Sequence, residues 1–272
     1  MRYAILIALL AVGCSSSLNL PSQRLSQVSV GFDYIHTDGT LRLILPNRLH
    51  CPLRVKATSG QAALNTLLQQ YLPSILPPLT DTVIAIPWSD TGATVRYGIL
   101  FGDPGVAVDA SRFDLPFQRG KEYKFIQGYD SNPSHNTSYS RYALDFGLAI
   151  GDTVCAAADG YVIGVVEGYS DGGNDRAWRP YANFITLYHP DNGLYTQYAH
   201  LVHRGSMVEV GDRVAAGQPI GLSGMTGYTT ISHVHFNVLR PVDSDEGMVS
   251  TPIDSIGPYA IPTLERGQML RH

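Results

Sequence analysis

Nine histidines are spread through this 272-residue chain, and a few of them stand where an imidazole has chemistry to do. His233 and His235 flank Val234 in a stretch of strand character. Side chains two apart on a strand share a face, so both imidazoles look one way while Val234 looks the other. Two imidazoles side by side in a half-buried place are costly unless something uses their nitrogens, and a metal does so. Upstream, Asp145 lies inside the apolar segment Ala143-Leu144-Asp145-Phe146. An unpaired carboxylate is expensive to bury there, and a cation is its natural partner. His135 precedes this segment, and His200 ends the run Tyr198-Ala199-His200. Two imidazoles and one carboxylate with an open fourth position make a catalytic zinc set, although such ligands suit other first-row divalent ions too. The chain has no HExxH sequence, so the glutamate base of the helical zinc proteases is missing and histidine must handle the protons.

These residues need a scaffold, and the sequence points to short strands. From about residue 116, β-branched segments recur between glycines: Val162–Val166, Phe184–Tyr188, Leu194–Tyr198 and Val234–Val238. Many short strands with glycine-rich turns argue for an antiparallel sheet and against a βαβ fold. The polar, turn-rich stretch from Ser170 to Tyr181 reads as a loop, in which Trp178 and Arg179 can line a groove or simply meet solvent. Residues 28–115 read as a small, mostly β domain of unknown role. Val28, Val30 and Phe32 alternate, Leu41–Leu45 and Val83–Ile86 are strand candidates, and Ala62–Leu72 has helical spacing stopped by Pro73. The expected fold is therefore mainly β, with an antiparallel catalytic domain over 116–272.

At the N-terminus, Arg2 precedes an apolar run from Ala4 to Val12 that is too short to span a bilayer. It has the marks of a secretory signal over residues 1–13. Leu10-Ala11-Val12-Gly13-Cys14 resembles a bacterial lipobox with its leucine one place early, which implies a lipid on Cys14, export to the cell envelope and, in a Gram-negative cell, an outer-membrane or periplasmic place. The Ser-, Asn- and Gln-rich residues 14–27 read as a flexible tether. A net charge of −4 without a basic run argues against nucleic acid as a partner. Cys51 and Cys155 remain; Cys155 sits in an apolar stretch where a buried thiol is the simpler reading than a bridge.

Taken in order, several short motifs resemble the lysostaphin- and LytM-type zinc endopeptidases. They are His135, Ala143-Leu144-Asp145-Phe146, Gly151-Asp152-Thr153-Val154, Ala158-Asp159-Gly160-Tyr161-Val162, Tyr198-Ala199-His200-Leu201, Val210-Gly211-Asp212-Arg213-Val214, Gly221–Gly227 and His233-Val234-His235-Phe236. The resemblance implies one zinc ion held by His135, Asp145 and His235, with His200 and His233 as catalytic histidines. His200 would handle the water proton and His233 the oxyanion, or the two would exchange or share these roles. It also implies peptidoglycan peptides as the substrate. One departure is the nine residues between His135 and Asp145, a longer interval than in the best-known members.

Other readings fare worse. Leu239 and Arg240 stand where a cupin site needs an acid. A lipoyl- or biotinyl-type carrier would need a lysine at a hairpin tip, and the second domain has only Lys121 and Lys124, both ahead of the strands. A non-catalytic wall-binding or hydrolase-activating lipoprotein is the alternative; it predicts missing ligands, whereas all five positions are filled. Of the other histidines, His189 reads as the end of a strand near the cleft, His203 as solvated, and His272 as part of a disordered terminus.

Overall fold

The structure is a computed structural model that describes residues 18–72, 74–110 and 112–272. The signal segment and Cys14 lie outside the described residues. The dominant element is an antiparallel sheet. Across it run Arg213–Val214, Gly160–Val166, Phe184–His189, Leu194–Ala199, Val234–Pro241, Leu144–Phe146, Glu122–Gln127 and Met269–Arg271, with Met248–Ser250 also paired to Val234–Pro241. A second, three-stranded antiparallel sheet of Thr153–Cys155, Pro219–Ser223 and Leu201–Ser206 packs beside it. No described helix is long and apolar enough to cross a membrane.

Alternation along the strands divides the main sheet into two faces. Ile185, Leu187, Val234, Phe236 and Val238 look into one core with Phe117, Phe146, Val154 and Ile220. The residues between them look the other way. His235 pairs directly with Asp145 on one side and Ala199 on the other, so one row across the sheet carries Asp145, His235, Ala199 and Phe184 on that second face.

Four residues further along Val234–Pro241, roughly 13 Å at the usual strand rise, the same face is covered by the N-terminal unit. That unit consists of two three-stranded antiparallel sheets, Asp33–Thr37 with Thr40–Asn47 and Thr80–Pro87, and Ser74–Leu76 with Leu53–Thr58 and Arg96–Phe101. The helix Ala62–Tyr71 buries Leu64 and Leu68 against them. Its core is continuous with Ile163, Tyr195, Leu239 and Met248 of the second unit. Buried Arg54 donates from Nε to Gly102 O and from its terminal nitrogens to Phe101 O, Val242 O and Gly247 O, which ties the two units together. His50 stacks on Tyr161 at 4.0 Å.

Several details depart from the sequence reading. The expected tether is not free at its C-terminal end: Leu25 N donates to Tyr169 Oη, Val165 N to Gln27 O, and Thr186 Oγ1 to Gln27 Oε1. The first strand begins at Asp33, and Val28, Val30 and Phe32 pack on the core without belonging to a strand. The loop over 170–181 contains a short pairing of Gly172–Gly173 with Gly227–Tyr228 and a 3-10 helix over Arg176–Tyr181. His189 is not near the cleft; it is buried, with Nδ1 donating to Asp159 O and Nε2 2.8 Å from Thr196 Oγ1. His272 is anchored by Nδ1 donating to Phe117 O at 2.6 Å. Cys51 and Cys155 are separate buried thiols, and burial pushes them up to about 12 and about 11.

Candidate metal centre

Strand register places two of the site's side chains without further help. Asp145 and His235 are cross-strand partners on that second face, and Nδ1 of His235 lies 2.9 Å from Asp145 Oδ1. His135 arrives from a loop, and that loop is closed tightly. Arg141 pairs with Asp130 at 2.7 Å, Asp130 N donates to Arg141 O, His135 N donates to Ser131 O, and Ser140 Oγ donates to Ser134 O. These bonds absorb the long interval before Asp145. They bring His135 Nε2 to 3.2 Å from Asp145 Oδ1 and 3.3 Å from His235 Nδ1.

The other two histidines come from the neighbouring turns. Leu194–Ala199 ends at Ala199, and His200 takes a left-handed backbone (φ 67°) before the chain enters Leu201–Ser206. In a continued strand the side chain would point into the core beneath Ala199; the left-handed turn carries it toward the site instead, at a strain of about 1 kcal/mol. His233 is held opposite Gly224 by an isolated bridge. The two rings lie with centroids 4.6 Å apart, and His233 Nε2 is 3.6 Å from Asp145 Oδ2.

Three of these rings are fixed the same way. Nδ1 of His135 faces Gly128 O at 2.8 Å, Nδ1 of His200 faces Thr226 O at 2.7 Å, and Nδ1 of His233 faces Ile231 O at 2.9 Å. A carbonyl can only accept, so each Nδ1 carries the hydrogen and each neutral ring keeps its lone pair on Nε2. For His135 that lone pair meets a carboxylate oxygen and another ring nitrogen. Burial disfavours charge on Asp145, but the nearby His233, His135 and His235 overcome it and hold its carboxyl well below the usual carboxylate range. Burial, aided by His233 and His235, takes His200 down to about 3, which leaves it a neutral acceptor.

The donor atoms of His135, Asp145 and His235 form the one group among the described residues that could hold a metal ion. Their edges of 2.9, 3.2 and 3.3 Å match one face of a tetrahedron. Ligands about 2.0–2.1 Å from a zinc ion lie roughly 3.3–3.4 Å from one another in that geometry. The donor set thus fits zinc, with a cation answering the lone pairs that otherwise confront each other. The Nδ1–H···O=C bond behind His135 is the kind of outer support that orients a ligating histidine.

Two clefts meet at this centre. One, of about 300 Å³, has the sheet residues Phe184, Gln197, Ala199 and His235 in its floor and is lined further by Tyr139, Ser140, Arg179, His200 and Tyr228. The second, of about 130 Å³, contains Asp145, His200, His233, Asn174, Tyr228 and Arg266. Trp178 is buried under its loop and lines neither cleft, while Arg179 lines the first. Sequence reasoning missed Asn183, which is fully buried and joins four segments around His200. A lone asparagine opening the apolar strand Phe184–His189 was its only signal. The supporting carbonyls of Gly128, Thr226 and Ile231 leave no signal at all, because any residue supplies a carbonyl.

Comparison with known proteins gives a consistent result. The model of peptidase family M23 matches residues 139–248. The glycyl-glycine endopeptidase ALE-1 of Staphylococcus capitis is 38% identical over 117 residues, 42% of this chain and 28% of that protein. The peptidoglycan DD-endopeptidase ShyA of Vibrio cholerae is 31% identical over 134 residues, 46% of this chain and 28% of its own length. The chain thus spans less than a third of either relative. Among solved structures, the catalytic domain of lysostaphin from Staphylococcus simulans is 31% identical, covering 48% of this chain and 87% of that one with a TM-score of 0.34.

Proposed function

We propose, from the match of residues 139–248 to the model of peptidase family M23, that the chain is a zinc endopeptidase that hydrolyses peptide bonds of bacterial peptidoglycan. The observation that carries the reading is the convergence of His135 Nε2, Asp145 Oδ1 and His235 Nδ1 within 3.3 Å of one another, beside two further histidines. These three residues would hold the zinc ion. When bound, it supplies Lewis acidity toward a carbonyl oxygen and toward water.

The rest of the chemistry belongs to the chain. His200, held by Thr226 O, presents Nε2 as an acceptor to the attacking water and takes its proton. Passing that proton to the departing amine returns the ring to its starting state. His233 places its Nε2 beside this space, with its ring 4.6 Å from that of His200, within reach of the oxygen that becomes negative as the carbonyl carbon turns tetrahedral. The cleft walls at Tyr139 and Tyr228 position an extended peptide over this pair. The substrate places the protein in the cell envelope, and a lipid on Cys14 would anchor it there.

The test uses the purified chain and a His235→Ala variant. Metal is measured by mass spectrometry, and purified peptidoglycan is digested with each protein. About one zinc per native chain, with soluble cross-link fragments released by the native protein alone, is the expected outcome. A native chain that binds no metal and releases nothing would overturn the proposal.

A further inference from the structure

Each of the two clefts that meet at the metal centre holds one arginine, and neither arginine has an ion-pair partner among the described residues. Arg179 is the sole Lys, Arg, Asp or Glu in the first cleft. In the second, Arg266 and Asp145 are the two charged residues, and the metal site already claims Asp145. In a chain of net charge −4, the two clefts thus hold no acid besides Asp145 and one cation each. An unpaired guanidinium in a cleft is a site for a carboxylate, which it can grip through two parallel N–H donors.

Both side chains stand on rigid ground. Arg179 belongs to the 3-10 helix Arg176–Tyr181, capped where Ala177 N donates to Asp175 Oδ1 and pinned by buried Trp178. Its guanidinium carbon sits 5.5 Å over the ring of Tyr228, a residue that lines both clefts. Arg266 lies in a turn clamped to the strand Glu122–Gln127, since Gly267 N donates to Phe125 O and Phe125 N to Gln268 O. Glu265 N and Gln268 Oε1 close that turn at 3.1 Å. Arg266 also lies beyond residue 248, outside the segment matched to the family.

Resting on the peptidase reading, we infer that Arg179 and Arg266 are specificity residues, each binding a substrate carboxylate on its own side of the scissile bond. The favoured substrate is therefore an anionic cross-linked peptide with free carboxylates on both flanks, and a neutral glycine bridge is disfavoured.

The probes are cross-linked muropeptide dimers with free carboxylates, the same dimers after carbodiimide amidation, and pentaglycine. Dissociation constants and cleavage rates are measured for the full native chain, Arg179→Gln, Arg266→Gln and the double variant. The native chain should bind free dimers about tenfold more tightly than amidated ones, and this ratio should fall toward one as salt rises. Each single variant should lose part of the ratio and the double variant nearly all of it. Equal binding of free and amidated dimers by the native chain, or a ratio unchanged in the double variant, would overturn the inference. A binding preference without any cleavage would sink the peptidase reading while leaving the arginine assignment in place.

Discussion

Asn183→Ala isolates the support of one catalytic candidate from the metal. Asn183 Oδ1 accepts from Tyr169 N at 2.9 Å, and its Nδ2 donates to Tyr169 O at 2.7 Å, Val202 O at 3.2 Å and Leu201 O at 3.3 Å. Its backbone N donates to Thr226 Oγ1, and Thr226 O in turn accepts from His200 Nδ1. The side chain therefore ties Tyr169 to the Leu201–Val202 segment that follows His200, without touching His135, Asp145 or His235. Alanine strips the partner from Tyr169 N–H, Tyr169 O and Val202 O, while Leu201 O keeps the hydroxyl of Thr226. At about 1–3 kcal/mol for each stranded buried group, with part recovered by relaxation, the loss is roughly 3–5 kcal/mol. That corresponds to a fall in melting temperature of about 10 °C.

Activity should fall separately. A misplacement of His200 by about 1 Å is enough for a loss on the order of 100-fold in kcat, with zinc content unchanged and KM within about twofold. Unfolding by urea, metal analysis and peptidoglycan digestion on the same preparation give all three readings, taken well below the variant's melting temperature. A variant that is destabilised but cuts at the native rate would refute the link from the Asn183 side chain through Leu201 and Val202 to His200. Zinc lost together with activity would equally refute it, because the support would then serve the whole centre.

Two further perturbations follow from the geometry. His189 is buried and its pKa is lowered to about 4, against about 6.5 when unfolded, by burial. The unfolded chain therefore takes up a proton that the fold refuses, so this group's stability is full above pH 6.5 and about 3 kcal/mol of it is lost on descending to pH 4. Chemical denaturation of the native chain and His189→Gln across that window should show the variant losing less by that amount; equal slopes would contradict it. Gly227 has φ 80°, and a Cβ there would lie 2.6 Å from Ala182 Cβ. Gly227→Ala should push Tyr228 and Ala182 apart at the cleft wall and raise KM at least tenfold with metal retained, and an unchanged KM would show that the wall does not touch substrate.

Much of the second unit was legible because its strands obey a simple rule. Runs such as Val162–Val166 and Phe184–Tyr188 are buried on both faces, one by the core and the other by the cleft or the N-terminal unit, so they read as continuous β-branched and aromatic stretches. Parity carried more information than was drawn from it. His189 follows Ile185 and Leu187 by even steps, and those two face the core, so period two alone sends His189 into the interior and away from the cleft. The five candidate residues stood out in the sequence as types, but the closure of the 128–141 loop did not, because it is made by backbone groups and one short-range ion pair. His272 misled for another reason. Position at a terminus argues for disorder only when nothing ties the end down, and Phe117 O does so here.

What the sequence hid most fully is why the N-terminal unit sits where it does. Tyr195, Leu239, Ile163 and Met248 read as ordinary core residues of the second unit, yet their side chains are buried in the core of the first. They occupy the same sheet face as His235, so the floor of the cleft runs from the metal centre across Gln197 and Asn237 and stops at the N-terminal unit. Polar residues fill the gap because this stretch is neither core nor open surface. Tyr139 Oη donates to Gln197 Oε1, Gln197 Nε2 reaches Thr186 Oγ1 at 3.4 Å, and Thr186 Oγ1 donates to Gln27 Oε1. Removing the first unit would expose four large apolar side chains at about 1.5–3 kcal/mol each and break the Arg54 bonds to Val242 and Gly247. A shortened chain would therefore differ from the native one in stability as well as in access to the cleft. A change in its activity is interpretable only beside a full-length variant in which the Tyr139–Gln197–Thr186 contacts are altered and the apolar seam is kept.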